Sequence, residues 1–369
     1  MLHIICFNVP FPPTYGGVAE VYYKLLAIKQ QQIPFVLHLF TYGRPILPEL
    51  YELTDKIFVY KRNTGIRSFF SILPYIVKSR VSKELIKNLK ADNSPIFCEG
   101  LHTAGILLTN FKNRNLMLRM HNNEPAYYHK LAMSEHNIFR KLYFYSEAFK
   151  LKLFERNLKK FDTIFTISDL ETEYYKSKPE LSGKVVKLPV FHANTAVTSV
   201  PGKGNYVLFH GNLEVAENYT SAIYLIETVF SRLQKKVLIA GLNPNKKLIQ
   251  KISHYSNIEL IASPSAEAMQ VLIANAHCIV LYTMQNTGTK LKLLNSVFAG
   301  RFCVANSVIN SEMELSGELI IANTSEEIIN AVENCFLQNF TENMSKRRSL
   351  IFEKNYANSQ SIKILIDKL

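Results

Sequence analysis

Short apolar segments alternate with longer helical patterns along this chain, and the alternation occurs twice. The apolar runs lie at 2–9, 35–40, 57–60, 96–98, 116–120 and 163–167, and then at 206–209, 236–240, 258–261, 278–282 and 302–305. Continuous apolar runs of this length are typical of strands buried on both faces, and the helices between them cover a parallel sheet. The pattern predicts two doubly wound α/β domains in tandem.

The stretch 192–205 interrupts this alternation with small, polar and turn-forming residues. Such a stretch is typical of a connection between domains. We therefore place a first domain at residues 1–197, a second at 198–350, and a C-terminal helical segment at 351–369. Helices are expected at 19–30, 221–233, 288–299, 326–337 and 359–369.

Composition excludes several other classes of protein. Of the 369 residues 47% are apolar and 20% are charged, with only 14 Gly and 14 Pro, which excludes a disordered or collagen-like chain. Its apolar runs fall well short of the roughly 20 residues that a membrane-spanning helix needs. The N-terminus lacks the basic start of a signal peptide. The cysteines are scattered without a CxxC pair, so we expect buried, reduced thiols of a cytosolic protein.

Positive charge is concentrated in the first half of the chain. Residues 1–200 hold 27 Lys and Arg against 16 Asp and Glu, whereas residues 201–369 hold 16 against 14. The stretches 61–90 and 130–160 each carry eight cations interleaved with aromatic residues. This composition predicts docking on an anionic membrane surface, with ordinary amphipathic helices as the alternative. Nucleic acid is not an expected partner, because no zinc-finger spacing or RNP-like aromatic motif is present.

Polar residues follow the predicted strands of the first half. Tyr15, Gly16 and Gly17 stand before the first helix, where free backbone N–H groups favour an oxyanion, although a purely structural turn is the alternative. His121, Asn122 and Glu124 follow one strand, and Glu99 and His102 follow another. Parallel strands end at one edge of a sheet, so these are candidate catalytic or acceptor-binding residues. The alternative for a lone histidine is a structural role.

The segment 285–300 carries the strongest functional signal. A strand leads through a small polar turn, Thr287-Gly288-Thr289, into a helix with Lys290 and Lys292 in its first turns. Lysine is unfavourable at a helix N-terminus unless an anion is bound there, and the free N–H groups and helix dipole also favour one. The segment therefore predicts an anion site, most naturally for a diphosphate, with Asn295 placed to bind ribose hydroxyls.

In the order of these features the chain resembles the family 4 retaining glycosyltransferases of the GT-B fold, especially bacterial sugar transferases for surface polysaccharide. The resemblance covers nearly the whole chain. Its motifs are Gly16-Gly17, the His121 strand end, Phe165-Thr166-Ile167-Ser168, Phe209-His210-Gly211-Asn212-Leu213, Ala240-Gly241 and the segment from Gly288 to Gly300.

The resemblance implies two Rossmann-like domains that face each other across a cleft, with the C-terminal helix returning to the first domain. It implies a nucleotide-diphosphate sugar of UDP or GDP type as co-substrate, with no other cofactor. The family's usual pair of glutamates corresponds here to two amides, Gln285 and Asn295. The donor-binding residues expected on this basis are Gly16, Gly17, Gly211, Asn212, Gly241, Gln285, Thr287, Gly288, Thr289 and Asn295.

The expected activity is transfer of a hexose-type sugar, with retention, to a glycan or lipid-linked acceptor in cell-surface polysaccharide synthesis. Lys290 or Lys292 would stabilise the leaving diphosphate, and His121 would orient the donor sugar. If the reaction inverts instead, His121, Glu124 or Glu99 is the candidate base. No metal is implied, because no Asp-x-Asp stands on a loop. We expect a cytoplasmic protein, peripheral on the inner face of the membrane. A GT-B epimerase and a non-catalytic GT-B-like scaffold remain the alternatives.

Overall fold

The computed structural model describes residues 1–54, 56–109, 111, 113–135, 137–284, 291–310, 315 and 317–369, with only the backbone at 67 and 310. The chain forms two compact units. The first comprises Met1–His192 and Asn358–Leu369, and the described residues of the second lie between Ala193 and Ala357. The structure thus places the boundary between His192 and Ala193, whereas the sequence predicts it between residues 197 and 198.

The first unit is built on a parallel sheet whose strands are short and almost entirely apolar. These strands are β1 Leu2–Cys6, β2 Phe35–Thr41, β3 Ile57–Lys61, β4 Ile96–Glu99, β5 Leu116–Arg119, β6 Thr163–Thr166 and β7 Val185–Lys187. Their order is β3-β2-β1-β4-β5-β6-β7, and all neighbours are parallel. Apolar cores pack on both faces of the sheet, which explains why the strands lack a polar alternation.

Helices cover both faces of this sheet. They are α1 Gly16–Gln30, α2 Ile66–Phe69, α3 Tyr75–Lys78, α4 Lys83–Leu89, α5 Glu124–Ser134, α6 Ile138–Phe154 and α7 Asp169–Lys176, with 3₁₀ turns at Pro48–Leu50, Leu101–Leu108 and Glu155–Lys160. Side-chain caps explain where several begin, because Asn123, Asn137 and Ser168 each accept from a backbone N–H of the first turn.

The second unit repeats the plan with a smaller parallel sheet. Its strands are β8 Tyr206–Asn212, β9 Lys236–Leu242, β10 Ile258–Ala262, β11 Cys278–Leu281, β12 Phe302–Ala305 and β13 Ile320–Ile321, in the order β10-β9-β8-β11-β12-β13. The helices are α8 Ala216–Thr228, α9 Lys246–Ile252, α10 Ala266–Asn275, α11 Leu291–Ala299, α12 Ser307–Asn310, α13 Ser325–Leu337 and α14 Glu342–Asn355, with a 3₁₀ turn at Phe230–Arg232.

The last helix, α15 Asn358–Ile366, packs with the first unit. Ile362 and Leu365 are buried in the core that holds α1 and β1. Where the chain returns, the Asn358 side chain donates to the carbonyl of His192 at 2.8 Å and accepts from the His192 N–H at 3.2 Å. Residues 351–355, expected to start this returning segment, instead complete α14 in the second unit.

In each sheet the strand order reverses beside the first strand, at β1 in one unit and at β8 in the other. Ligands of doubly wound sheets bind beyond the carboxyl ends of the strands at such a reversal. The predicted α/β class with two Rossmann-like domains is confirmed. None of the helices in the described part of the chain has the length and apolar character needed to cross a bilayer.

Candidate functional site

Five charged or ionisable side chains meet at the carboxyl ends of the central strands of the first unit. Glu99 ends β4, Arg119 ends β5 and His121 follows it, while Glu20 and Lys24 reach the same place from α1. Both α1 residues lie in the buried stripe of that helix, together with Val21 and Leu25. Glu20 and Lys24 therefore occupy buried positions of α1 at which apolar residues would be expected.

These side chains form a fully buried ionic network. The Lys24 ammonium donates to Glu20 Oε2 at 3.0 Å and to the two Glu99 oxygens at 2.8 and 2.9 Å. An Arg119 Nη2 lies 3.0 Å from Glu20 Oε1, although the angle is not that of a hydrogen bond. Burial opposes ionisation of Glu20, but Lys24, Arg119 and His121 outweigh it and hold the pKa of Glu20 well below its usual value.

His121 is fixed by this network. Its Nε2 lies 3.0 Å from Glu99 Oε2 and its Nδ1 lies 3.7 Å from Glu20 Oε2. The ring of Phe7, which follows β1, stands edge-on to the imidazole with ring centres 5.3 Å apart. A ring held by two carboxylates and an aromatic neighbour has one orientation. An imidazole fixed in this way can present an oriented group to a ligand.

Buried polar atoms without a hydrogen-bond partner among the described residues lie beside His121. They include His102 Nδ1 and Asn122 Oδ1. Gly100 turns the chain from β4 toward His102 with φ near +71°, and a Cβ there would lie 3.0 Å from His102 Nδ1. Burial, together with Arg80, His121 and Arg62, holds the pKa of His102 well below its usual value. A neutral His102 and the Asn122 amide can therefore bind hydroxyl groups of a ligand.

Glu124 is buried at the start of α5, with 3% of its surface exposed. Burial raises the pKa of Glu124 to about 7, with the neighbouring Glu171 acting in the same direction and Asn122 and Arg80 against it. Asn122 Nδ2 lies 3.4 Å from Glu124 Oε1. Near neutral pH this carboxyl can thus give or accept a proton beside His121, as an acid or base must.

The raised pKa of Glu124 predicts a pH-dependent stability. In the folded state Glu124 keeps its proton up to about pH 7, whereas in the unfolded chain Glu124 loses it near pH 4. The stability that protonated Glu124 contributes therefore falls as the pH rises across that window. Glu124→Gln mimics the protonated form. From about pH 4 to about pH 7, we expect its free energy of unfolding to gain about 3 kcal/mol relative to that of wild type. Urea unfolding across this pH range measures it. The exposed Glu353→Gln is the control, and parallel profiles for wild type and Glu124→Gln would contradict the prediction.

Within the described residues, Glu20, Glu99 and His121 form a group whose ligand atoms lie within 4.8 Å of one another, as in a metal site. Both carboxylates, however, already bind buried cations, Lys24 and Arg119. A divalent ion here would stand beside an ammonium and a guanidinium in a low-dielectric interior. The donor set therefore fits an ionic network better than a metal centre.

In the second unit, polar residues gather at the carboxyl end of β8. The Lys292 ammonium, in the first turn of α11, donates to Asn218 Oδ1 of α8 at 2.9 Å. Asn218 Nδ2 in turn donates to the carbonyl of Asn212 at 2.9 Å, so the end of β8 and the starts of both helices are joined. Two helix N-termini and a cation near one strand end form an arrangement suited to a phosphate.

His210 is buried under this arrangement. Ser296 donates to the Lys292 carbonyl at 2.8 Å, so it accepts from His210 Nε2, which lies 2.7 Å away. Burial and the nearby Lys292 lower the pKa of His210 to about 3. The imidazole is therefore neutral, carries its proton on Nε2, and ties β8 to α11.

Gly211 and Gly241 lie opposite each other at the ends of β8 and β9. A Cβ at Gly241 would lie 1.8 Å from the Gly211 carbonyl oxygen, so only glycine fits there. Beyond β11 and β12, Thr283 donates to the carboxylate of Glu217, and Asn306 Nδ2 donates to the Thr283 carbonyl at 2.6 Å. At this edge of the sheet, backbone pairing with β9 lies on one side of β8 and side-chain hydrogen bonds through Thr283 lie on the other.

The remaining predicted residues have varied positions. Tyr15 is the exposed N-cap of α1, and its hydroxyl lies 3.3 Å from Asn8 Nδ2. Gly16 and Gly17 form the first turn of that helix, and a Cβ at Gly17 would lie 3.2 Å from the Phe7 ring. Asn295 accepts from Asn194 at 2.8 Å. Gln285, Thr287, Gly288, Thr289 and Lys290 lie outside the described residues.

Sequence reasoning missed the partners that hold the predicted residues. Glu20 and Lys24 went unnoticed, although an acid and a base four residues apart within an apolar helical stripe are a recognisable signal of a buried pair. Asn218 and Ser296 carry no such signal. A single amide or hydroxyl in a helix acquires a role only from what the fold places opposite it.

Together, the fold and these strand-end groups define a two-domain Rossmann-like protein with polar strand-end clusters in both units. Residues 204–338 match the family model described as Glycosyl transferases group 1. An uncharacterized 44.6 kDa protein in the cps region of Klebsiella pneumoniae is 29% identical over 376 residues, covering 95% of this chain and 93% of that protein.

Solved structures share the fold across the whole chain. HepE from Anabaena in complex with UDP has a TM-score of 0.67 at 11% identity and full coverage of both chains. A mutant of S. aureus TarM in complex with UDP and other ligands has a TM-score of 0.65 at 11% identity, covering 100% of this chain and 99% of that one. The glycosyltransferase WaaG has a TM-score of 0.62 at 10% identity, covering 99% and 98%. The predicted GT-B fold is confirmed.

Proposed function

We propose that this protein transfers a hexose-type sugar, with retention, from a nucleotide-diphosphate donor to a glycan or lipid-linked acceptor in cell-surface polysaccharide synthesis. One observation carries the proposal. The glycosyltransferase match at 204–338 falls on the unit in which Lys292 and Asn218 join two helix N-termini at the end of β8. The UDP in HepE and TarM supports a donor of UDP type, and the cps-region relative supports the polysaccharide context.

In the proposed reaction the bond between the sugar C1 and the donor phosphate oxygen breaks. A bond from C1 to the acceptor oxygen forms on the same face, and the acceptor's proton passes to the leaving phosphate. Lys292 and the α11 N-terminus stabilise the charge that develops on the diphosphate. His121, held by Glu99 and Glu20, orients the sugar, and no protein base is needed. In an inverting reaction Glu124 would be the candidate base.

Lys292 would meet the diphosphate's need for positive charge without a metal, so metal independence is part of the proposal. Association of the basic first half with an anionic inner-membrane surface is also part of it, and the 27 Lys and Arg against 16 Asp and Glu in residues 1–200 support this.

Thermal unfolding against a panel of nucleotides tests the donor site. A ligand at 100 times its dissociation constant adds about 2.7 kcal/mol, and we expect this shift from UDP or GDP with or without Mg²⁺. Mass-spectrometric detection of sugar transfer then separates a transferase from an epimerase, and NMR of the product anomer tests retention. No shift with any nucleotide would contradict the proposal and favour a non-catalytic scaffold.

A further inference from the structure

Helix α6 of the first unit has two apolar faces, one buried against the unit and one largely exposed. Ala148, Leu151 and Phe154 are buried against the unit. A second apolar row lies on the opposite side, with its members three or four residues apart. Their side chains are 37% to 64% exposed. We call this row the α6 outer stripe: Ile138, Leu142, Tyr145, Phe149 and Leu153. At 3.6 residues per turn its members share one side of the helix.

Further exposed apolar side chains lie on α6 and on the segment that packs beside it. Phe139, in the first turn of α6, is 80% exposed. The Phe69 ring of α2 stacks on Tyr143 of α6 with ring centres 4.8 Å apart, which holds the neighbouring segment beside the helix. In that segment Phe70 is 76% and Ile72 is 93% exposed. A concentration of large apolar side chains such as this marks an interaction surface.

Positive charge surrounds the same surface. Lys130, Arg140 and Lys152 are exposed on α5 and α6. Of the three acids in 130–160, Glu147 and Glu155 are buried and paired with Lys150 and Lys178. The third, Glu135, is half-buried and accepts from the Asn137 N–H, so the acids offset only part of the positive charge. Apolar side chains bordered by cations match the interface of an anionic bilayer. Two copies of this face would instead bring like charges together.

A groove between α5 and α6 borders the α6 outer stripe. It has a volume of about 390 Å³, and its lining includes His129, Tyr145, Phe149 and Lys152. The lining also includes Asn123, the N-cap of α5, which directly follows His121 and Asn122 in sequence. The groove lining therefore comes within two residues, along the chain, of His121 in the candidate site of the first unit.

We propose that the α6 outer stripe, with Phe139 beside it, inserts into the interface of an anionic lipid bilayer, and that the α5–α6 groove receives the apolar part of a lipid-linked acceptor from it. The acceptor part rests on the proposed sugar transfer. Bilayer docking rests only on the membrane association proposed with it, and it needs neither nucleotide nor sugar. The surface thus specifies which face of the basic first unit meets the membrane.

The test is co-sedimentation of the full-length protein with vesicles of equal parts phosphatidylglycerol and phosphatidylcholine. We expect binding that weakens with added salt and is much lower on pure phosphatidylcholine. The double variant Phe139→Ser/Phe149→Ser should bind the mixed vesicles about tenfold or more weakly, since two inserting rings are lost. Leu337→Ser/Leu350→Ser, which changes side chains 80% and 69% exposed in the second unit, should bind like wild type.

Each contrary result overturns the inference. Wild type that fails to bind the mixed vesicles excludes the docking surface, and so does equal binding by the two double variants. A dimer that Phe139→Ser/Phe149→Ser converts to a monomer, without vesicle binding, would make this a self-association surface. The nucleotide-induced stability shift, measured on the same variants, separates the proposals. Vesicle binding without any shift would defeat the proposed sugar transfer and leave the docking surface standing.

Discussion

Lys292→Ala is expected to lower turnover about 100-fold, because removing one group that stabilises developing charge typically costs that much. The ammonium lies in the first turn of α11 and donates to Asn218 at 2.9 Å, so it is held where the proposed diphosphate binds. Lysine at a helix N-terminus opposes the helix dipole, and so its loss should not destabilise α11 itself. Steady-state kinetics of sugar transfer, with thermal unfolding to verify the fold, measure the effect.

The matched control for this variant is Lys246→Ala. Lys246 also stands in the first turn of a helix of the second unit, α9, but it is exposed to solvent. We expect it to leave turnover unchanged. Lys292→Arg should recover part of the activity, since it restores the charge with a different donor geometry. Equal kinetics for wild type and Lys292→Ala would remove this residue from the proposed mechanism.

The sheets could be predicted from the sequence because their strands are buried on both faces. Continuous apolar runs then stand out from the polar loops around them, and β12 at Phe302–Ala305 has the predicted bounds. The strand β7 was missed because it is only three residues long and ends in Lys187. The apolar pattern therefore predicts most of the strands, but a short edge strand has too few apolar residues to show it.

Helix α14 shows why another part of the fold was not predicted. Its sequence is mostly polar and has no apolar stripe from which a helix could be predicted. It is held instead by Arg348, whose buried guanidinium donates to the carbonyls of Val297, Gly300 and Arg301 and pairs with Glu318 at 2.9 Å. Such an attachment depends on carbonyls that are distant in sequence, which local patterns do not reveal.

The same distinction holds for the candidate sites. Strand-end positions identified His121, Glu99 and Lys292 as residues of interest, because the carboxyl ends of parallel strands share one edge. Their partners Glu20 and Asn218 come from helices, and their contacts depend on how those helices pack. The roles of all these residues remain predictions until the variants are measured.

Lys24→Met is expected to destabilise the first unit by about 3–5 kcal/mol, because it leaves two buried carboxylates without their shared cation. Lys24 is fully buried and binds both Glu20 and Glu99 within 3.0 Å. Methionine keeps most of the side-chain volume, so the loss reflects the charge rather than a cavity. Urea unfolding at neutral pH gives the free energy of unfolding.

Lys236→Met is the control, since Lys236 pairs with Glu259 at 2.8 Å while both side chains are about half exposed. An exposed pair contributes at most about 1 kcal/mol, so this variant should remain close to wild type. A similarly small loss for Lys24→Met would contradict the assignment of Lys24 as the cation that neutralises the network. A large loss would show that Glu20 and Glu99, the two carboxylates that also contact His121, depend on the Lys24 charge for their place in the buried network.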